Sequence, residues 1–476
     1  MMRLLPLSVA GAAGLSDNAF AQMGKKKAAC PKCGNMACAC GGGKHKNSGQ
    51  SLSAQYLYKV MGMLKKIRAT QSENLLEASY AIARTIKNKG VSWYSWDMGH
   101  STIMDLIPGR NGLPEIFTPG YDASKSKDGD LFLANIWGGP HADLEKKDIF
   151  VIGGPAPWGM DAQKSELIVR DTAKVRMKPY SDIWIETNVS TIGAIMKLPG
   201  MPAPTGPVSG ILGMITFWMM MADTCRILAR DGITIPVRGD EPALSGNNVP
   251  WASLNTPLMG DYFDTVIRQI EMILAELGNI QTIAKMAVDS VLAGGKVYGY
   301  SAHQMALCVE AQTRRGGLAL TRGVYVKDGE VIDYPGNVVK GSKNDLVIMG
   351  AYQPDDPVDL ESLKQFRKGK MKIASIGPMT RDIKVPDGRT LSKETDIHVG
   401  RMCDTYGLFA IPGFERKVCP TSGALVNQIW WATCMEIADE MMRRTGNTPG
   451  VYYSAAIKGG TEHMHRMNRL YEERGY

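Results

Sequence analysis

His100, His303, Glu310, Glu462 and His463 are the residues of this sequence best suited to moving protons. A neutral imidazole near pH 7 can hydrogen-bond a hydroxyl or carry a proton between neighbouring oxygens, and a carboxylate raised in pKa by partial burial can take a proton from carbon. His100 stands in Asp97-Met98-Gly99-His100-Ser101 and His303 in Ser301-Ala302-His303. Each loop follows a short β-rich run, Val91 to Trp96 and Lys296 to Tyr300. A structural histidine reads nearly as well for either one alone; the shared placement favours function. Glu310 stands four positions before Arg314, which is also the spacing of an ordinary helix-surface ion pair. Thr421 and Ser422 lead into an apolar helix, where backbone N–H groups and hydroxyls suit a phosphate or sugar oxygen, although the same residues are good N-caps.

A second chemical cluster lies near the start of the chain. Cys30-Pro31-Lys32-Cys33 and Cys38-Ala39-Cys40 bring four thiols close together in a stretch rich in Gly and Lys. Such turns can aim four thiolates at one zinc ion or iron–sulfur centre. Two disulfides, or a disordered tail, are the other readings. The remaining Cys225, Cys308, Cys403, Cys419 and Cys434 are scattered through apolar stretches, where a free cysteine is usually a small hydrophobe. Before the cluster, Leu4 to Leu15 is an apolar run followed by Ala19-Phe20-Ala21, the form of a secretory signal with an A-x-A cleavage site. Residues 1–21 are therefore expected to be a signal peptide, resembling the tail of a twin-arginine signal without its arginines, and the protein to be exported to a periplasm. A mobile apolar tail is the bland alternative.

The elements that must position these groups occupy the rest of a 476-residue chain, long enough for two or three domains. Its 44% hydrophobic and 21% charged residues are those of an ordinary globular protein, which excludes collagen-like and coiled-coil classes. The net charge of +8 sits largely in lysines of the first fifty residues, so a nucleic-acid partner has little support. The most apolar run, Ile211 to Ala222, is about a dozen residues and predicts a buried core helix rather than a membrane span.

Two halves show one order of parts. Tyr56 opens a helical run with Leu57, Val60, Leu64 and Ile67 on one face, and Tyr262 opens another with Phe263, Val266, Ile270 and Ile273. Buried-strand patterns follow at Asp148 to Ile152 and Asp345 to Met349, with a further one, Lys372 to Ile376, clear only in the second half. Ser181 to Ile185 matches Thr395 to Val399, and Ala203-Pro204-Thr205-Gly206 matches Cys419-Pro420-Thr421-Ser422-Gly423. The pattern predicts a Cys/Lys/Gly-rich segment over 22–52 and duplicated α/β domains over 53–250 and 261–476.

On these motifs the chain resembles the SIS (sugar isomerase) family. The second half fits best, through Gly294-Gly295, Glu310, Arg314, Gly316-Gly317, Pro420-Thr421-Ser422, Ser454, Gly459-Gly460, Glu462-His463, Asn468 and Tyr471. The resemblance implies two flavodoxin-like three-layer αβα sandwiches with parallel sheets, packed as a pseudo-dimer, with homo-oligomers a further expectation. It implies a sugar or sugar-phosphate ligand and no cofactor. Activity as a sugar isomerase working through an enediol, or as an eliminase, would use His100, His303, Glu310, Glu462 and His463, with Ser101, Arg314, Thr421, Ser422 and Ser454 binding the ligand. A non-catalytic sugar-binding or assembly protein is the alternative. Two departures matter. The family's Ser-x-Ser-Gly phosphate loops are replaced by Gly153-Gly154-Pro155-Ala156-Pro157 and Gly350-Ala351-Tyr352-Gln353-Pro354, and the first half has Val237-Arg238-Gly239-Asp240-Glu241-Pro242 where the second has its Gly-Gly-x-Glu-His tail. At most one complete site per chain is expected.

Overall fold

The computed structural model describes residues 50–94, 112–134, 144, 146–154, 180–189, 193–199, 201, 204–239, 249–302, 307, 311, 316–333, 336–351, 353–379, 388–400, 407–453 and 459–474. From Ser51 onward the chain forms one compact unit. It begins with helix α1 (Leu52–Lys87), whose N-cap Ser51 accepts a hydrogen bond from the Ala54 N–H. Strands β1 (Ser92–Tyr94), β2 (Phe117–Pro119), β3 (Leu131–Ala134), β4 (Phe150–Gly153) and β5 (Ile183–Trp184) then build a parallel sheet in the order β2-β1-β3-β4-β5. A small antiparallel hairpin, β6 (Ala194–Met196) and β7 (Thr205–Pro207), leads into helix α2 (Ser209–Arg230).

The second half repeats the plan. Helices α3 (Met259–Ala275) and α4 (Leu277–Leu292) precede strands β8 (Val297–Tyr300), β9 (Thr321–Lys327), β10 (Glu330–Asp333), β11 (Leu346–Gly350), β12 (Lys372–Ile376) and β13 (Ile397–Val399). The sheet order is β10-β9-β8-β11-β12-β13, parallel except for the edge strand β10. Helix α5 (Pro357–Lys368) joins β11 to β12, and helices α6 (Ser422–Thr445) and α7 (Gly460–Arg474) complete the chain. Without β10, both sheets have the 2-1-3-4-5 order of a doubly wound, flavodoxin-like fold. The protein is a mixed α/β structure with parallel sheets.

Strand alternation places the core. Leu131 and Leu133 face one common core with α1, α2, α3, α4 and α6, and so do Leu346 and Ile348 of the other sheet. Phe132 and Ala134 face a second, smaller cluster, while Val347 and Met349 pack with Leu360, Leu363 and Phe366 of α5. The shared core lies where α1 packs on α2 and α6, and α4 on α6. By length and composition α2 could cross a membrane, so an apolar segment of spanning length is present after all; here its most apolar 18 residues are all buried inside the protein. Its Asp223 and Arg226 are an ion pair at 2.5 Å, both fully buried.

Matched hydrogen bonds correct the register read from sequence. The Val91 N–H donates to Asp130, just before β3, and the Lys296 N–H donates to Asp345, just before β11, at 2.9 and 2.8 Å. The Val151 N–H donates to Asp182 and the Ile373 N–H to Asp396, at 2.7 and 2.8 Å. Thus β3 corresponds to β11 and β4 to β12; the Asp148 segment matches Lys372 to Ile376, and the strand missing from the first half is Leu131–Ala134. Likewise Tyr56 Oη donates to the Pro207 carbonyl at 2.5 Å and Tyr262 Oη to the Pro420 carbonyl at 3.1 Å. The counterpart of Pro420-Thr421-Ser422-Gly423 is therefore Pro207-Val208-Ser209-Gly210, three residues beyond the sequence match.

Two carboxylates cross between the halves. Asp223 of α2 accepts the Leu258 and Met259 N–H groups at the start of α3, at 3.0 and 3.1 Å. Glu436 of α6 accepts the Ser53 hydroxyl at 2.6 Å, together with the Ser53 backbone, at the start of α1. The first helix of each half thus begins on an acid supplied by the other half.

Candidate functional site

In a doubly wound sheet ligands bind beyond the carboxyl ends of the strands, at the point where strand order reverses. Those ends are β1 and β3 in one sheet, β8 and β11 in the other. His100, Ser101, His303, Glu310, Arg314 and Ser454 lie outside the described residues, as do Cys30, Cys33, Cys38 and Cys40. Among the described residues no group of three or more His, Cys, Asp or Glu is placed to hold a metal ion.

Thr421 and Ser422 are placed at the start of α6, and both are fully buried. Thr421 Oγ1 accepts from Gln269 Nε2 at 2.7 Å, and the preceding Pro420 carbonyl is held by Tyr262. The hydroxyl expected to meet a ligand here ties α6 to α3.

The tail is built more openly and at the other end of the sheet, against the residues just before β9, at the amino rather than the carboxyl ends of the strands. Residues Gly450 to Tyr452 run antiparallel to Gly317 to Ala319: the Ala319 N–H donates to Gly450 at 2.8 Å and the Tyr452 N–H to Gly317 at 2.9 Å. Arg322, buried on β9, donates to Tyr452 Oη at 2.9 Å, and that hydroxyl donates to Asn468 Oδ1 at 2.7 Å. The Arg322 guanidinium also lies over the Tyr471 ring, 3.4 Å from its centroid. These contacts fix α7 against the sheet, so Asn468 and Tyr471 serve as its docking residues.

On the exposed side of this assembly, His463 stacks on Tyr453 with ring centroids 3.7 Å apart and planes 6° from parallel. Both residues are half-buried. His463 Nε2 lies 2.7 Å from the Val451 carbonyl, and Arg466 Nη2 lies 2.8 Å from His463 Nδ1. A carbonyl only accepts and a guanidinium only donates, so Nε2 carries the proton and Nδ1 accepts. Burial holds the His463 pKa below its usual 6.5, and the Arg466 charge acts in the same direction while the Val451 carbonyl opposes. The ring is neutral at pH 7 with both nitrogens engaged. Glu462 is exposed to solvent beside it. Sequence reasoning missed Tyr453, Arg466 and Arg322; the Tyr452-Tyr453 pair just before Ser454 was the available signal.

The loop after β11 carries carboxylates where a phosphate grip would lie. Asp356 accepts the Val358 and Asp359 N–H groups at 2.8 and 3.1 Å, so the first donors of α5 are already satisfied. Asp359, also buried, accepts the Ala302 N–H at 3.1 Å just past β8. Burial raises the Asp355 pKa, and the Asp356 charge adds to the rise. An anion approaching this helix end meets negative charge instead of free N–H groups.

Comparison with known proteins finds no matching family model. The chain is similar to a UPF0309 protein of Listeria monocytogenes serovar 1/2a, with 25% identity over an alignment of 209 residues that covers 41% of this chain and 89% of that protein. Among solved structures it is similar to a protein of Salmonella typhimurium LT2 assigned by inference as sugar-binding, with 12% identity, a TM-score of 0.39 and coverage of 81% of this chain and 97% of that one. A protein of Silicibacter pomeroyi DSS-3, assigned by inference as a phosphosugar isomerase, gives 8% identity, a TM-score of 0.39 and coverage of 82% and 98%.

Proposed function

We propose that this chain is an exported carbohydrate-binding protein made of two fused copies of one α/β domain, with a single ligand face on the second copy. The observation that carries the reading is the Tyr453–His463 stack, a half-buried aromatic platform with Arg466 and Glu462 at its edge. The C–H face of a sugar ring packs on such a platform while its hydroxyls reach the polar fringe, the usual division of labour in a small-molecule site. At the opposite, carboxyl end of the strands the self-capped, carboxylate-bearing start of α5 offers no phosphate grip, in keeping with a ligand without phosphate. The matched hydrogen bonds of the two halves support the duplication.

Isothermal titration with free hexoses, N-acetylhexosamines and hexose 6-phosphates tests this. Free sugars should bind, and Tyr453→Ala should weaken binding by about tenfold or more, the equivalent of ~1.4 kcal/mol. Binding of the phosphorylated sugars alone, or equal binding by Tyr453→Ala, overturns the reading.

A further inference from the structure

Each half carries a turn that the other half holds. In the first half, the Gly112 N–H donates to the Arg238 carbonyl, and the Arg238 N–H to Leu113, at 3.0 and 2.8 Å. In the second, the Gly316 N–H donates to the Tyr452 carbonyl, and the Tyr452 N–H to Gly317, at 2.6 and 2.9 Å. Pro114 bridges Val237 as Leu318 bridges Val451. Both Gly112 and Gly316 have positive φ, 71° and 85°. The carbonyl of each turn accepts an N–H from across the molecule: Cys419 reaches Gly112 at 3.2 Å, and Gly206 reaches Gly316 at 3.3 Å. Cys419 and Gly206 both precede the proline of their helix-entry loop, and both have positive φ, 62° and 70°.

The reciprocity breaks at one side chain. Before Gly206 stands Thr205, whose Oγ1 also donates to the Gly316 carbonyl. Before Cys419 stands Val418, which has no hydroxyl to donate. The extra bond appears only on the turn that backs Val451, Tyr452 and Tyr453. The same hairpin region reaches that strand twice more: Thr448 Oγ1 donates to the Pro199 carbonyl at 2.7 Å, and Tyr453 Oη approaches Met201 Sδ at 3.9 Å.

We propose that Thr205, from the first half, is a positioning residue for the Tyr453–His463 face of the second half. It fixes the Gly316 carbonyl, Gly316 fixes Tyr452, and the adjoining Val451 carbonyl orients His463 through Nε2. The first half thereby serves the only tail-bearing half as a brace. The proposal rests on reading that face as the ligand site, but its test needs no ligand.

Thr205→Val gives this turn the side chain found at Val418, and Thr205→Ser keeps the donor. By NMR, Thr205→Val should speed hydrogen exchange at the Gly316 and Tyr452 amides by about tenfold and move the His463 titration downward, because a displaced Val451 carbonyl no longer favours the protonated ring. Thr205→Ser should leave both as in the parent. A Thr205→Val protein with a lower melting temperature but unchanged exchange at those amides and unchanged His463 titration overturns the proposal, because a merely structural threonine predicts that result. Should Thr205→Val fail to fold, Thr205→Ser decides alone: a shifted His463 titration despite a retained hydroxyl overturns it, and an unshifted one with parent-like exchange supports it. Failure of sugar titrations would sink the ligand reading while leaving these outcomes unchanged.

Discussion

Replacing Asp223 by Ala should nearly unfold the protein, although the position lies far from the candidate site. The carboxylate is fully buried and does three things. It balances the buried Arg226 at 2.5 Å, and it accepts the Leu258 and Met259 N–H groups that begin α3. Arg226 donates onward to the Leu254 carbonyl at 2.7 Å, so it stays buried after the substitution with its charge uncompensated. Breaking a buried pair in this way costs about 3–5 kcal/mol. Each orphaned N–H adds about 1 kcal/mol or more. The sum, on the order of 5–7 kcal/mol, rivals the ~5–15 kcal/mol that holds most domains folded. Urea denaturation followed by tryptophan fluorescence measures it, since Trp218 and Trp430 are both buried in the shared core. With an m value of about 2–3 kcal/mol/M, the midpoint should fall by roughly 2 M. Exchanging both residues for apolar ones, Asp223→Leu with Arg226→Met, should recover part of the loss because no charge is left stranded. A fall under about 0.5 M for Asp223→Ala alone refutes the reasoning, since it would mean that the pair and the cap contribute almost nothing.

The corresponding carboxyl of the other half predicts the opposite outcome. Burial raises the Glu436 pKa above the usual 4.5, with Asp439 adding to the rise and the Ser53 and Ser51 hydrogen bonds opposing. A carboxyl raised in the folded state contributes stability below its unfolded pKa and loses it as pH rises through the folded value. Glu436→Gln, which can still accept from Ser53, should therefore gain on the parent as pH rises from 4 to 7 in parallel denaturation curves. A parent that gains on the variant over that range contradicts the assignment. Gly400 has φ 139°, and a Cβ there would collide with the Gly377 carbonyl oxygen. Gly400→Ala should lower stability by about 2–4 kcal/mol, and a melting temperature equal to the parent's would show that the turn can move aside.

Much of the frame was legible in the sequence because parallel strands buried on both faces are continuous apolar runs, as in Leu346 to Met349 and Ile373 to Ile376. The helices at Tyr56 and Tyr262 announced themselves by period. Strand β3 escaped because its four residues, Leu131 to Ala134, are too few to show any period. The helix-entry register slipped because Pro204 and Pro207 offer two similar anchors, and only the Tyr56 hydroxyl in space selects the second. Of the candidate site, Glu462 and His463 stood out in the sequence through their motif. The stack of His463 on Tyr453 and the hold of Arg322 on Tyr452 join residues on different elements, and no spacing rule encodes such pairs. Thr421 and Ser422 looked like ligand groups because a helix entry facing solvent and one facing another helix have the same sequence; the structure buries both and pairs Thr421 with Gln269.

The acid that begins α1 also sets a timetable for synthesis. Ser53 and Glu436 are separated by 383 positions. At about 5–20 residues per second, the first helix leaves the ribosome roughly 20 to 80 s before its carboxylate partner is made. Asp223 reaches Leu258 only 35 positions away, so the start of α3 is capped almost as soon as it emerges. The nascent first half therefore waits with an unfinished helix end and an uncovered apolar face, and the last third of the chain completes them both. A ribosome stalled before Glu436 should hold a protease-sensitive α1, and one stalled after it should not.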